Sequence, residues 1–260
     1  MARRQVLITG AGSGLGRALA LRYAAAGAAV ACADRRFERA EETAALLPGE
    51  GHLALVADVG DDASMRALHD TLMRRWQRLD VLVNNAGIAS GGCLVDSTIE
   101  EWREVLEINL LGVVRGCRWF LPDMLARGRG QIVNIASFAA LAGAPGIMSY
   151  GVAKAGVVTL SEQLRAEVAA QGVTVSVACP AFFRTNLLEN WRGDPRVRET
   201  AERMMARAPD RLDEVADRLF AAAERGEFLI LPTRRETLRW RIKRWLPGWY
   251  FRRMLAATRR

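Results

Sequence analysis

Seven short apolar runs punctuate the chain: QVLIT (5–9), AAVACA (28–33), HLALVA (52–57), DVLVN (80–84), QIVNIA (131–136), VTVSVAC (173–179) and FLILP (228–232). Between them lie stretches of helix length in which apolar residues return every three or four positions. Runs of four to seven residues, rich in Val, Ile and Leu and apolar at nearly every position, are what strands buried on both faces require. Alternation of such strands with amphipathic helices predicts an α/β fold, a doubly wound seven-stranded parallel sheet covered by helices on both faces. Helices are expected over 15–26, 36–47, 63–76, 99–126, 150–170 and 212–224. The stretch 185–209 has no such periodicity and is expected to lie as an irregular insertion over a binding site.

Composition narrows the chemistry. The chain has 260 residues, half of them apolar, enough for one well-buried domain. Only His52 and His69 are histidines, which argues against a metal centre and against a Ser-His hydrolase. Cys32, Cys93, Cys117 and Cys179 show no CxxC spacing and sit in or beside apolar runs, so buried thiols in a reducing compartment are expected. The N-terminus enters a strand within a few residues, without the apolar core of a signal peptide, which points to the cytoplasm. The uncharged stretch 130–153 contains Gly, Pro, Asn and Ser, so it reads as a strand and a loop, not a membrane span.

The first strand runs into TGAGSGLG, Thr9 to Gly16. Glycines at 10, 14 and 16 allow a tight turn, close approach of backbone N–H groups to a pyrophosphate, and placement of that anion at a helix N-terminus. The spacing GxxxGxG differs from the GxGxxG dinucleotide fingerprint and could mark only a flexible turn. Asp34 closes the second strand where a carboxylate can bind ribose hydroxyls and repel a 2′-phosphate, favouring NAD over NADP. Arg35 and Arg36 argue the other way, and Asp34 could equally cap the following helix.

Taken in order, TGAGSGLG, NNAG (84–87), Asn109 in INLLG, Ser137 in NIAS and Tyr150–Lys154 in YGVAK resemble the successive motifs of the short-chain dehydrogenase/reductase family, over residues 5 to about 231. The resemblance implies a Rossmann-like catalytic domain over 1–233 that moves a hydride between NAD(P) and a secondary alcohol or ketone. It implies Ser137, Tyr150, Lys154 and Asn109 as the catalytic set, with Asn109 holding a relay water beside Lys154. The dinucleotide would be held by Thr9, Gly10, Ser13, Gly14, Leu15, Gly16, Asp34, Arg35, Asp58, Val59, Asn85, Ala86, Gly87, Tyr150, Lys154, Pro180 and Thr185. Asp58 would meet the adenine amino group, and Asn84 and Gly87 would shape the floor beneath the cofactor. Both have plain alternatives, a helix cap and an ordinary turn. The family's Pro-Gly is here Pro180-Ala181, which adds a methyl near the nicotinamide position. A homodimer or homotetramer packed through the helices near 99–126 and 150–170 is implied as well.

Physics supports the Tyr-Lys pair independently. The chain's 37 basic residues include just two lysines, Lys154 and Lys243. On a helix, Tyr150 and Lys154 share a face about 6 Å apart. A tyrosine of pKa about 10 must lose ~3 units, or ~4 kcal/mol, to exchange a proton near neutrality. A unit charge at ~5 Å with an effective dielectric of ~20 supplies about 3 kcal/mol, and the cationic nicotinamide could supply the rest. A compact ammonium can meanwhile hold two ribose hydroxyls, which guanidinium does less well. Phe138, Leu141, Ile147, Met148, Phe182, Phe183, Leu187 and Leu188 suggest an apolar, lipid-like substrate.

The tail, 234–260, carries ten basic residues against Glu236 alone, a net of +9 where the whole chain has +8, so the rest of the chain sums to −1. Pro247-Gly248 divides it into two short amphipathic helices with Trp, Tyr and Phe among the arginines. Such a segment could pack over the substrate mouth or an oligomer interface. It could also touch an anionic membrane through 238–260, at the inner face of a bilayer, with nucleic acid the least favoured partner. A cofactor-binding regulator without turnover, or a surface adaptor, are the rival functions.

Overall fold

The computed structural model describes residues 3–258. Strand β1 (Gln5–Thr9) leads through a glycine turn into α1 (Gly14–Ala25), then β2 (Ala29–Asp34), α2 (Phe37–Ala45), β3 (Leu53–Val56), α3 (Asp62–Trp76) and β4 (Val81–Asn84). A short strand, β5 (Ser90–Gly91), precedes the long helical stretch, made of α4 (Ile99–Leu106), a π turn (Glu107–Leu111) and α5 (Gly112–Ala126). Strand β6 (Gly130–Ile135), α6 (Phe138–Ala142), α7 (Met148–Val168) and β7 (Val173–Ala178) follow. The chain closes with β8 (Arg192–Gly193), α8 (Pro195–Ala206), α9 (Leu212–Glu224), β9 (Leu229–Ile230), α10 (Glu236–Trp245) and α11 (Pro247–Thr258).

Seven strands form one parallel sheet in the order β3-β2-β1-β4-β6-β7-β9. Side chains alternate across it, as a period of two demands. Val6 and Ile8 of β1 join the core beneath α1 and α9, while Leu7 joins the core beneath α3, α5 and α7. Burial on both faces explains why the strands are apolar at nearly every position. Strand order reverses beside β1, with β2 on one side and β4 on the other. A crevice therefore opens beyond the carboxyl ends of these strands, where doubly wound folds bind their ligands.

The expected elements are present, with four differences. The helix expected over 99–126 is interrupted by the π turn around Asn109; such insertions gather where a helix must turn a side chain out of register. The stretch 185–209 contains α8, which Asp194 caps by accepting from the Arg196 N–H with Pro195 in the first turn. Cys93 is exposed, whereas Cys32, Cys117 and Cys179 are buried and all four are free. Asn84 does not floor the crevice. Its amide donates to Asn134 Oδ1 at 2.9 Å, and the Asn134 amide donates to Ser161 Oγ at 3.0 Å, all three buried between the sheet and the helices. The last residue of a strand points to one face only, and for Asn84 that face is the helix layer.

The two tail helices form as their amphipathic pattern implies. They pack against each other and against α6, and Lys243 Nζ donates to the Leu141 carbonyl at 2.5 Å. No described helix is long and apolar enough to cross a membrane.

The buried amide chain sets a stability test. Asn134→Ala strands the Asn84 donor and takes a partner from Ser161, so unfolding in urea should be easier by on the order of 3 kcal/mol with an unchanged slope.

Candidate active site

The crevice is a cavity of about 880 Å³ that extends from the glycine turn to the tail helices. One end is built from the β1-α1 junction. Gly14 holds φ +51°, and a methyl there would lie 3.4 Å from Thr185 Cβ. Gly16 has no room for a side chain, since a Cβ would stand 2.2 Å from the Gly10 carbonyl. Ser13 precedes the helix without capping it, and no acid occupies the first turn. The N-terminus of α1 therefore presents backbone N–H groups and its dipole to the cavity, a setting that suits an anion.

Beside it, Asp34 closes β2. Its Oδ2 accepts from the Gly12 N–H at 3.0 Å and its Oδ1 from the Arg36 N–H at 3.0 Å. The carboxylate is thus fixed at the cavity wall next to Arg35, Arg36 and Arg39. Arg39 Nη1 pairs with Glu189 Oε2 at 2.8 Å, linking α2 to the turn Asn186–Asn190 at the cavity's edge. Asp58 also lines the wall, bracing its own turn by accepting from Gly60 N–H at 2.9 Å. The cap of α3 is Asp61, which accepts from Ala63 and Ser64.

Deeper in, Ser137, Tyr150 and Lys154 share the wall. Ser137 ends the β6 segment and caps α6, its Oγ accepting from the Ala139 N–H at 3.1 Å. The hydroxyl's contact with the Pro180 carbonyl, at 3.5 Å, is too long to commit its proton. Tyr150 and Lys154 stand one turn apart on α7, with Nζ 6.0 Å from the phenol ring centre. Lys154 is 4% exposed, and its Nζ donates to the Ile135 carbonyl at 2.9 Å. Among the described residues this is the ammonium's single hydrogen bond. An ammonium has three donors, so two are left without a protein acceptor in a buried place, an arrangement that fits the paired hydroxyls of a ribose.

Electrostatics runs against the simple expectation of a lowered phenol. Burial raises the Tyr150 pKa above its ordinary value, with hydrogen bonding to Ser137 pulling the other way. Burial also drives Lys154 down to about 8. Desolvation is the largest influence on both groups, so the protein alone favours the neutral phenol.

Of the residues proposed from sequence, Gly10, Ser13, Gly14, Leu15, Gly16, Asp34, Arg35, Asp58, Val59, Asn85, Ala86, Gly87, Ser137, Tyr150, Lys154, Pro180 and Thr185 line this one cavity. Thr9 and Asn109 do not. The buried Thr9 Oγ1 accepts from the N–H groups of Asn85 and Ala86, holding the loop after β4. Asn109 spends both ends of its amide on Ile88, accepting from its N–H at 2.9 Å and donating to its carbonyl at 2.8 Å. So engaged, Asn109 supports the cavity floor, and its amide keeps one further N–H donor and one oxygen lone pair beyond the two bonds to Ile88. A Cβ on Gly87 would meet Asn109 Oδ1 at 2.7 Å, so that floor leaves no space between them. The added methyl of Ala181 is accommodated, and its N–H donates to Thr233 Oγ1 at 3.2 Å.

Phe138, Ile147, Phe182, Phe183, Leu187 and Leu188 line the cavity as expected, whereas Leu141 and Met148 do not. Sequence reasoning missed Trp191, Met204 and Met205 from the 185–209 stretch, while the tail, for which packing over the substrate mouth was one reading, supplies Ile242, Trp249, Tyr250 and Met254. The signal available was the amphipathic spacing of the tail, which shows that a face is buried but not against what.

Comparison with known proteins agrees with this geometry. The family model for short chain dehydrogenase matches residues 4–196. The chain is 33% identical over 224 residues to meso-2,3-butanediol dehydrogenase of Serratia marcescens, covering 86% of this chain and 89% of the relative. It is 35% identical over 237 residues to 2-(R)-hydroxypropyl-CoM dehydrogenase of Xanthobacter autotrophicus, covering 87% and 94%. A short chain dehydrogenase/reductase from Burkholderia phymatum, solved in complex with NAD, superimposes with a TM-score of 0.88 at 30% identity over 93% of each chain.

The buried lysine yields a pH test. A lysine whose folded pKa is about 8 against an ordinary 10.5 destabilises the fold while it is charged, so stability rises as pH climbs between those values. Lys154→Met abolishes this contribution. The stability of the parent relative to the variant, measured in urea without cofactor, should increase across that window by on the order of 3 kcal/mol.

Proposed function

This chain belongs to the short-chain dehydrogenase family, and from that premise we propose that it oxidises a secondary alcohol or reduces the matching ketone, with NAD as the preferred dinucleotide. The observation that carries the proposal is the meeting of Ser137, Tyr150 and the underused Lys154 ammonium on one wall of a cavity floored by an uncapped helix N-terminus. When bound, the nicotinamide supplies or accepts the hydride at the carbinol carbon.

The protein's own part is positioning and proton transfer. The start of α1 would hold the pyrophosphate, and Asp34 would hold the adenosine ribose, where its charge would disfavour a 2′-phosphate. Lys154 would give its two remaining donors to the nicotinamide ribose. Ser137 donates to the substrate oxygen and steadies charge that grows there. Tyr150 delivers the proton to that oxygen or takes it away, its neutral form being the one that burial favours. Thr9 and Asn109 act one step back, as positioning residues for the loop 85–88.

The substrate is apolar. Phe182, Phe183, Leu188, Trp191, Met205 and Ile242 line the cavity, and Arg239 and Arg253 are the charged groups that the tail helices add to it. The relatives' substrates, a butanediol and a hydroxypropyl thioether, are small secondary alcohols by name, which supports the reaction class. The catalytic unit extends to residue 233, and α10 and α11 cover its mouth. The exposed Leu111 and Val152, on the two helical stretches beside the site, suit a homo-oligomeric interface.

A screen of long-chain secondary alcohols, hydroxysteroids and small ketones, followed by the absorbance of reduced nicotinamide, tests the whole reading. No turnover with any of them, despite NAD binding, would favour a regulator. Tyr150→Phe should lower turnover by several powers of ten while leaving NAD affinity nearly intact, as read by protein fluorescence. Turnover within about tenfold of the parent would remove Tyr150 from the chemistry. Lys154→Arg should fail in turnover too, because a guanidinium cannot reproduce the same donor geometry. Asp34→Ala should raise the NADPH to NADH ratio of kcat/KM, and an unchanged ratio would show that Asp34 does not face the ribose.

A further inference from the structure

The outer face of the tail carries a second feature that the reaction does not use. Trp245 is 77% exposed, Leu238 66%, Leu246 58% and Phe251 54%, and none of the four lines the cavity. They lie along α10, at its junction with α11, and on the first turn of α11. Leu238 and Trp245 are seven residues apart, two turns along one side of the helix. Arg241, Arg244 and Arg252 are exposed among them. None of these three arginines has an acidic partner among the described residues, although Arg244 lies over the ring of Trp240. The tail's sole acid, Glu236, is 5% exposed and turned to Arg239. The outward surface is therefore aromatic and cationic with no negative charge of its own.

We propose that this face of α10 and α11 docks on an anionic lipid bilayer and lies in its interface, placing the cavity mouth against the membrane. Charge complementarity selects the occupant. A polyanion such as nucleic acid would use the arginines but leave four large apolar side chains in water, and a second copy of the chain would bring the same positive charge to the contact. An anionic interface accepts both halves of the pattern, with apolar rings at the level of the headgroups and arginines on the phosphates. Each basic residue near such a surface is worth up to about fivefold in partitioning. The helices are ten and twelve residues long, too short to span but long enough to lie flat.

The inner face of the same helices gives the docking a purpose. Ile242, Trp249, Tyr250 and Met254 form part of the cavity wall, and Lys243 fastens α10 to the Leu141 carbonyl, four residues past Ser137. An apolar alcohol dissolved in the bilayer would thus meet the protein at the helices that wall the site. This last point rests on the apolar-substrate reading; the docking itself does not.

The full chain, sedimented with vesicles of phosphatidylcholine containing phosphatidylglycerol, should bind at low salt, be released at high salt, and bind pure phosphatidylcholine at least tenfold more weakly. Trp245→Glu with Phe251→Glu should cut binding to the anionic vesicles by tenfold or more, and Arg241→Gln with Arg252→Gln should weaken it and flatten its salt dependence. NAD affinity, read by fluorescence, should be unchanged in both pairs, which separates loss of docking from loss of fold. Equal vesicle binding by parent and Glu variants overturns the proposal, as does absence of binding by the parent. Two further results would overturn it in favour of other occupants: a parent that ignores vesicles while its Glu variant changes oligomeric state in light scattering, or one that ignores vesicles but binds duplex DNA through these arginines. Turnover enters none of these readouts, so a failed substrate screen would leave the docking result standing, and the reverse.

Discussion

A lysine ammonium buried to near completeness and held by one backbone carbonyl is the constraint around which the site is organised. Such a group is costly to keep charged, and its pKa falls to about 8 accordingly. The cost is tolerable because β6 ends where it does, presenting the Ile135 carbonyl at 2.9 Å, and because Gly87 leaves room for Nζ. Those requirements propagate outward. Gly87 must be small because Asn109 lies behind it, Asn109 must grip Ile88, and the helix carrying Asn109 accommodates it with a π turn.

The second lysine follows the same chemistry. Lys154 donates to Ile135 and Lys243 to Leu141, carbonyls two residues before and four after Ser137. In a chain that otherwise uses arginine, both compact ammonium groups bind backbone carbonyls of one short segment, one from beneath and one from the tail. A guanidinium is too broad and too rigid for a single carbonyl at such a spot.

Much of this was legible beforehand, for physical reasons that can be named. Strands buried on both faces advertise themselves as apolar runs, so all seven were found. The turn at Gly14 needs a positive φ, and glycine is the residue that supplies it cheaply. What stayed hidden depends on direction and on distant partners. The amide of Asn84 leaves the sheet on the helix side, towards Asn134, and spacing within NNAG does not encode that. The Arg39–Glu189 pair joins residues 150 positions apart. For the Tyr150–Lys154 pair the decisive effect is desolvation, which depends on how deep the pair lies, and depth belongs to the folded chain.

The Arg39–Glu189 pair also has a bearing on traffic. Both side chains are partly exposed, at 29% and 37%, so breaking the pair costs no more than about 1 kcal/mol. A bond of that strength is open for a substantial fraction of the time at room temperature. It can hold the Asn186–Asn190 turn beside α2 between visits, yet impose almost no delay on a large molecule passing through. The ion pair is thus a latch of roughly thermal strength, and what firmness the turn has comes from Leu188, buried beside Ala89 and Met205.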